Sequence, residues 1–391
     1  MHDPKVLQRH ITFTQPEYVL FVPKQKAFES DNVHLHVIDH PQFGGLIAFW
    51  TQSSIEHAGN NHAMMSRSLD NGKTWSEAKF IIGARTPSDK QAHWAFPALS
   101  KSGRIYLFYY REAEFYDYHR QITGVFSCIY SDDFGDTWSE SYDVPLKETC
   151  FDRNGQVQNN CCYQIPRRFQ DGKYLFGYTK YTNLSKRFEQ QDSHIYFARL
   201  ENLDDDPLPS ELKLTHLPDN ETGISVSLGE NDSCAQEPCI VQLPDGRLLC
   251  TMRTLLGSVY YSVSEDNGHT WRDPDPMRFD DGSPIVHPLS PCPIYDLGEE
   301  KYVLLFHGVV SDNIWEGRNP TRKVVGRFAP GEHQPIQFPA GSDEIFIELP
   351  EEGREVGQFG ATMYGCYLKQ GEEHILWYPD RKFFLLGKHL I

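Results

Sequence analysis

The residues in this sequence that could do chemistry stand at the ends of short apolar runs. His34 and His36 alternate within VHLHVID, and the period of two in an extended segment puts both on one face. The polar stretch TQSSIEHAGNNHA offers Glu56 and His57 as proton donors or acceptors. His93 and Trp94 lead into AFPALS, and Asn159 and Tyr163 flank the adjacent Cys161-Cys162. Glu237 opens EPCIVQLP and Arg253 closes RLLCTMR, while His287, His307, Arg318, Arg322, Gln358 and Tyr364 hold comparable positions further on. Carboxylates and histidines suit acid–base work, arginine forks bind anions, and aromatic rings stack on flat ligands. Each also has a plain structural use: Glu237 with Arg253 as an ion pair between neighbouring strands, and the histidines, Trp94 and Tyr364 as packing.

The elements that must position these residues are set by a repeat. SLDNGKTW from Ser68, SDDFGDTW from Ser131 and SEDNGHTW from Ser264 share the pattern S-x-D-x-G-x-T-W, and the second gap is about twice the first, so one copy between them has decayed. Every fixed position has a turn-building job: Asp accepts backbone N–H bonds, Gly supplies positive φ, Thr bonds locally and Trp tucks beneath neighbouring strands. Asp70, Asp133 and Asp266 are therefore read as structural.

Around these octets the chain divides into six units of about 60 residues, each with an apolar inner strand, a second strand after a tight turn, a third strand, and the octet or its remnant. The sixth unit runs out of chain after its third strand, and the unassigned ITFTQPEYVLFVP near the N-terminus can supply the fourth. The expected fold is an all-β, six-bladed β-propeller forming one domain, with blades near 30–90, 91–150, 155–220, 234–285, 288–345 and 355–391 and segment 11–23 closing the last. A propeller displays its site at the central channel, on inner-strand entrances and the loops between second and third strands.

Composition excludes several classes. Lys and Arg number 37 against 54 Asp and Glu, and the resulting charge of −17 repels the polyphosphate backbone of a nucleic acid. No apolar run is long enough to span a bilayer, and the start MHDPKVLQRHITFT lacks the apolar segment of a secretory signal, so a cytoplasmic location is the default, or a secreted or periplasmic one if a leader has been removed. Nine cysteines, an odd number with one adjacent pair, suit reduced thiols, and no spacing among them suggests zinc or another metal. No cofactor is expected.

The octets are Asp-boxes, or BNR repeats, and with the fourth unit they make the chain resemble the sialidase (neuraminidase) superfamily. Glu237-Pro-Cys-Ile-Val-Gln-Leu-Pro-Asp-Gly-Arg-Leu-Leu-Cys-Thr-Met-Arg253, followed by a strand and an Asp-box, is similar to the sialidase stretch that carries a catalytic Glu and a substrate-binding Arg. The resemblance implies that Glu237 polarises a tyrosine nucleophile, for which Tyr364 in ATMYGCYL stands in the right region. It implies that Arg253, with Arg318 or Arg322, grips a substrate carboxylate. Two parts of the family pattern are replaced. The first inner strand reads VHLHVID where sialidases carry F-R-I-P, and the loop that normally supplies an Asp acid offers Glu56 or His57. The implied function is exo-glycosidase action on a terminal acidic sugar of a glycan, with histidines such as His34, His36, His93, His287 and His307, and with Trp94, Asn159, Tyr163 and Gln358, touching substrate. Two alternatives stand beside it: a uronate-acting lyase or glycosidase with a histidine base, and a carbohydrate-binding propeller without catalysis.

Overall fold

A computed structural model of the 391-residue chain describes residues 3–24, 28–56, 58–85, 89–111, 124–152, 160–162, 164–182, 192–229, 232–310, 317–358, 360 and 364–391. Six antiparallel sheets follow one another around a ring, each ordered from an inner to an outer strand. The inner strands are Asp31–His40, Ala92–Leu99, Asn160–Cys162 with Arg167–Arg168, Gln236–Gln242, Ile294–Gly298 and Cys366–Gln370, in blades 1 to 6 respectively. The protein is an all-β six-bladed propeller, as the repeat implies.

The ring closes through the N-terminal segment. Tyr18–Phe21 pairs antiparallel with Phe384–His389 and becomes the outer strand of blade 6. The expected strand over 11–23 is shorter than its sequence suggests, because Pro4–Ile11 is an α-helix and Thr12–Thr14 a 3-10 turn. Asp3 caps that helix through a bond from the Lys5 amide to its carboxylate, and proline occupies its first turn, where a missing N–H costs nothing. On the other side of the seam Asn32 of blade 1 latches the turn of blade 6. Its amide donates to the carbonyl of Phe383 and its backbone N–H to the carbonyl of Lys382.

Core packing is between blades. Phe96, Phe108 and Phe126 of blade 2 stack on one another and meet Phe176 of blade 3, and Leu46, Trp50 and Leu35 of blade 1 share a cluster with Trp377 and Leu385 of blade 6. Full burial of such side chains contributes about 1.5–3 kcal/mol each.

The Asp-boxes repeat one hydrogen-bond pattern on the turns leading out of the third strands. In the first, Thr74 gives its N–H and its hydroxyl to the two oxygens of Asp70 at 2.8 and 2.6 Å, and Gly72 N–H donates to Ser68. Asp133 and Asp266 repeat it with Thr137 and Thr270. Gly72 has φ +84°, and a Cβ there would strike Trp377, so glycine is required twice over. These turns lie at the end of the ring opposite to the loops that join second to third strands.

Candidate active site

Three inner strands share one local distortion. Glu237, His34 and Trp94 have φ of +52°, +53° and +54°, a region that non-glycine residues seldom enter. Each falls where pairing with the second strand slips: between Gln236 and Cys239, Val33 and His36, and His93 and Phe96. A β-bulge at each place takes one side chain out of the strand's alternation and re-aims it. The expectation that His34 and His36 share a face is corrected here, because the bulge between them breaks the period of two.

The redirected residues meet a tyrosine from blade 6. Tyr364 Oη donates to Oε1 of Glu237 at 3.0 Å, and Arg253 Nη1 stands 2.9 Å from Oε2 of Glu237 and 3.3 Å from Tyr364 Oη. Glu237 and Arg253 are each 1% exposed. The backbone supports the arrangement: Thr179 accepts the N–H of Glu237, Leu35 N–H donates to the carbonyl of Tyr364, and Gln236 accepts from Nε and Nη2 of Arg253. The His34 ring lies 4.0 Å from Trp94 and edge-on to Tyr364 at 5.3 Å, which makes an aromatic wall beside the phenol.

Burial governs the charges. It raises the Glu237 pKa in spite of Arg253 and Arg318, so this carboxylate is a stronger base than an exposed one. It also raises Tyr364, with the charge of Glu237 adding to the effect and the two arginines opposing it. For Arg253 burial works against the charge, but Glu237 and Tyr364 outweigh it and its pKa rises. His34 is held neutral by burial first and then by His36, Lys382 and His93, and His36 is lowered to about 3 by burial and the field of Arg167.

Of the two arginine choices, Arg318 joins this group. It is 7% exposed, gives Nη2 to the carbonyl of Leu289 at 2.7 Å, and feels the charges of Tyr364, Arg253 and Glu237. Arg322 is taken by Asp343 within blade 5 and makes no hydrogen bond or ion pair with the cluster among the described residues. Glu56 forms an ion pair with the ammonium of Lys382 at 2.7 Å, and Lys382 lies 5.8 Å above the Tyr364 ring.

Other residues singled out by sequence sit apart from the phenol. His93 stacks on Tyr110 inside blade 2, since the residue beside a bulge points the other way. His287 and His307 stack in parallel at 5.4 Å and are tied by Ser290 and the carbonyl of Pro320, so they brace the segment that carries Leu289 and through it Arg318. Gln358 has its backbone N–H on the carbonyl of Arg381 and an exposed side chain. His57, Asn159 and Tyr163 lie outside the described residues.

Sequence reasoning missed Gln236, Asp31 and Lys382. Asp31 is buried, accepts from the Ser53 hydroxyl, and has its pKa raised by burial and Glu56 against the pull of Lys382. Lys382 occupies the turn between the second and third strands of blade 6, the class of loop expected to line the channel, and that position was the available signal.

A family model described as a BNR repeat-like domain matches residues 44–284. No curated protein sequence matches the chain. Among solved structures, a protein of unknown function from Dyadobacter fermentans is 13% identical, with a TM-score of 0.63 over 95% of this chain and 97% of its own. The leech intramolecular trans-sialidase, complexed with 2,7-anhydro-Neu5Ac, is 14% identical, with a TM-score of 0.64 over 100% of this chain and 71% of its own. The intramolecular trans-sialidase from Ruminococcus gnavus, in complex with oseltamivir carboxylate, is 13% identical, with a TM-score of 0.62 over 94% and 96%. At such identities the likeness is one of fold.

Proposed function

The chain belongs to the BNR repeat-like domain family, and from that membership we propose that it is a sialidase-like exo-glycosidase releasing a terminal acidic sugar from a glycan. The observation that carries this reading is the contact of Tyr364 with both Glu237 and Arg253. A phenol titrates near 10 and attacks carbon well only when a base takes its proton as the bond forms.

In the first step Tyr364 Oη bonds to the anomeric carbon while its proton passes to Glu237. The glycosidic C–O bond breaks as the protonated form of Glu56 gives its proton to the leaving oxygen and becomes the carboxylate that pairs with Lys382. Water then gives its proton to Glu56 and attacks the anomeric carbon, and the departing Tyr364 recovers its proton from Glu237. A neutral nucleophile avoids the repulsion that a carboxylate would meet at an anionic sugar. Arg253 and Arg318 hold the substrate carboxylate, and Trp94 with His34 packs against the ring.

Turnover of chromogenic sialosides, glucuronides and rhamnosides tests the class: release from an acidic glycoside is expected, and inertness toward all of them overturns the reading. One observation favours a second reading. Among the described residues Nδ1 of His34 has no hydrogen-bond partner and the ring stands beside Tyr364, a place from which an unprotonated imidazole takes a proton from a uronate in a lyase. An unsaturated product absorbing in the near ultraviolet would mark that chemistry.

A further inference from the structure

The other mouth of the channel holds a polar centre that the mechanism above does not use. The inner strand of blade 3 has two pieces, Asn160–Cys162 and Arg167–Arg168, the second paired with Leu175 and Tyr174. From there the guanidinium of Arg167 reaches to 5.9 Å from the ring of Tyr295 in blade 5. Its charge is felt by His36 of blade 1, Cys239 of blade 4 and Cys366 of blade 6. Rooted in blade 3, within reach of blade 5 and with its field extending to blades 1, 4 and 6, Arg167 points toward the channel axis.

Among the described residues no carboxylate pairs with Arg167, whereas Arg253, Arg322 and Arg381 each have one. Among the described residues Nε of Arg167 is buried without a hydrogen-bond partner, and so is Nδ1 of His36, itself 2% exposed. Buried donors left without acceptors are rare because each costs the full desolvation of the group. The unpartnered Nε of Arg167 points to an acceptor that belongs beside it, and the unpartnered Nδ1 of His36 lies within the field of the same guanidinium. His36 stays neutral to about 3, so it keeps one ring N–H to donate and adds no second positive charge.

A cleft of about 500 Å³ opens beside Arg167, with Ile240, Val241 and Tyr302 on its wall. It includes the turn that starts at Leu243, which is the end of blade 4 opposite to Arg253. Arg168, also on its lining, is engaged by Asp204, which leaves the fork of Arg167 for a ligand. Asp296, Glu299 and Glu300 edge the cleft and repel a large polyanion, so the ligand must be compact.

We propose that Arg167 is the floor of a second binding site, at the mouth opposite to Glu237, for a small molecule bearing a carboxylate or phosphate group. The guanidinium fork takes two oxygens of the anion, and the apolar wall with Tyr302 holds the remainder.

Thermal-shift titration of the full chain with inorganic phosphate and with acetate, at ionic strength held constant with chloride, tests this. A saturable rise in melting temperature is expected for the unaltered protein. Arg167→Met, which keeps the stem and removes the fork, should weaken the apparent affinity at least about tenfold. A response to phosphate alone assigns the site to phosphate groups, and a response to acetate assigns it to carboxylates. An equal response of the unaltered and variant proteins, or none in either, overturns the proposal. Should the variant not fold, a crystal of the unaltered protein soaked in selenate decides: an anomalous selenium peak against Arg167 is expected, and no peak there refutes the site.

Discussion

The phenol of Tyr364 donates to Glu237 at 3.0 Å although 127 residues separate the two in the chain, and the propeller's curvature is what brings blade 6 to blade 4. Glu237→Gln keeps the volume and an acceptor oxygen but cannot take a proton. Its kcat on the preferred glycoside should fall by about 10²–10⁴. If Glu237 and Tyr364 act as one unit, Glu237→Gln combined with Tyr364→Phe should be hardly slower than Tyr364→Phe alone. Additive losses in that cycle, or a wild-type kcat in the glutamine variant, would remove the pairing from the mechanism.

Glu56 is joined to Lys382, and removal of the cation has a signed consequence. An adjacent ammonium favours the carboxylate form, so Lys382→Met should raise the Glu56 pKa and keep its proton to higher pH. The alkaline limb of kcat/KM should therefore move upward by about one pH unit. Asp31, whose proton is already favoured by burial and by Glu56, loses the same opposing cation and should become still harder to ionise. A limb that does not move in Lys382→Met, and survives in Glu56→Gln, assigns the acid elsewhere.

How far the sequence could be read depends on what each feature repeats. The three octets recur with their spacing, and the turn chemistry of Asp70, Gly72 and Thr74 is wholly local, so blade count and ring closure were legible. Glu237, Arg253 and Tyr364 stood out through the resemblance of the fourth unit and of ATMYGCYL to sialidases, and the fold brings the three into contact. The bulges were not legible. A positive φ at His34, Trp94 and Glu237 leaves no mark in composition, since nothing there is glycine, and it decided which of His34 and His36, or His93 and Trp94, faces the phenol. The choice between Arg318 and Arg322 rested on partners distant in sequence, Leu289 for one and Asp343 for the other. Of the strand expected over 11–23 only Tyr18–Phe21 forms, because Ile11 ends a capped helix and Thr12–Thr14 make a 3-10 turn.

Acid should destabilise the protein through its buried histidines. His287 is lowered to about 4, chiefly by burial, and His34, His36 and His307 are lowered as well. Above about 6.5 both folded and unfolded forms carry these rings neutral. As pH falls from there the unfolded chain takes up protons first, so stability declines until the folded pKa is reached; for His287 that amounts to about 3 kcal/mol. Asp31, raised to about 7, and Glu237 and Asp380, raised as well, act in the opposite sense below neutrality and offset part of this loss. The melting temperature measured between pH 7 and 4 should fall, and His287→Gln should make the fall shallower whatever it does to stability at pH 7. An unchanged slope in that variant would mean that His287 is not a buried neutral group.

Asn32 ties blade 1 to the turn of blade 6 through both its side chain and its backbone. Fully buried, it donates to the carbonyls of Glu29 and Phe383 at 2.8 and 2.9 Å and accepts from Trp50 and Gln52 at 3.1 and 2.8 Å. Asn32→Ala leaves those four groups without this partner inside the seam between blades 1 and 6. At about 1–3 kcal/mol for each buried group that stays unsatisfied, and allowing for partial rearrangement, a loss of about 3–5 kcal/mol in unfolding free energy is expected. Asn32→Asp keeps the acceptor but puts an oxygen opposite the Phe383 carbonyl, so it should be no better tolerated. Urea titration measures both. The seam's location adds a second readout: the backbone amide of Asn32 and the turn at Lys382 should exchange with deuterium faster in the alanine variant, while the Asp-box of blade 4 at Asp266 keeps its protection. Uniform loss of protection around the ring, or a stability within about 0.5 kcal/mol of the unaltered protein, would show that closure is carried by the strand pairing of Tyr18–Phe21 and not by this latch.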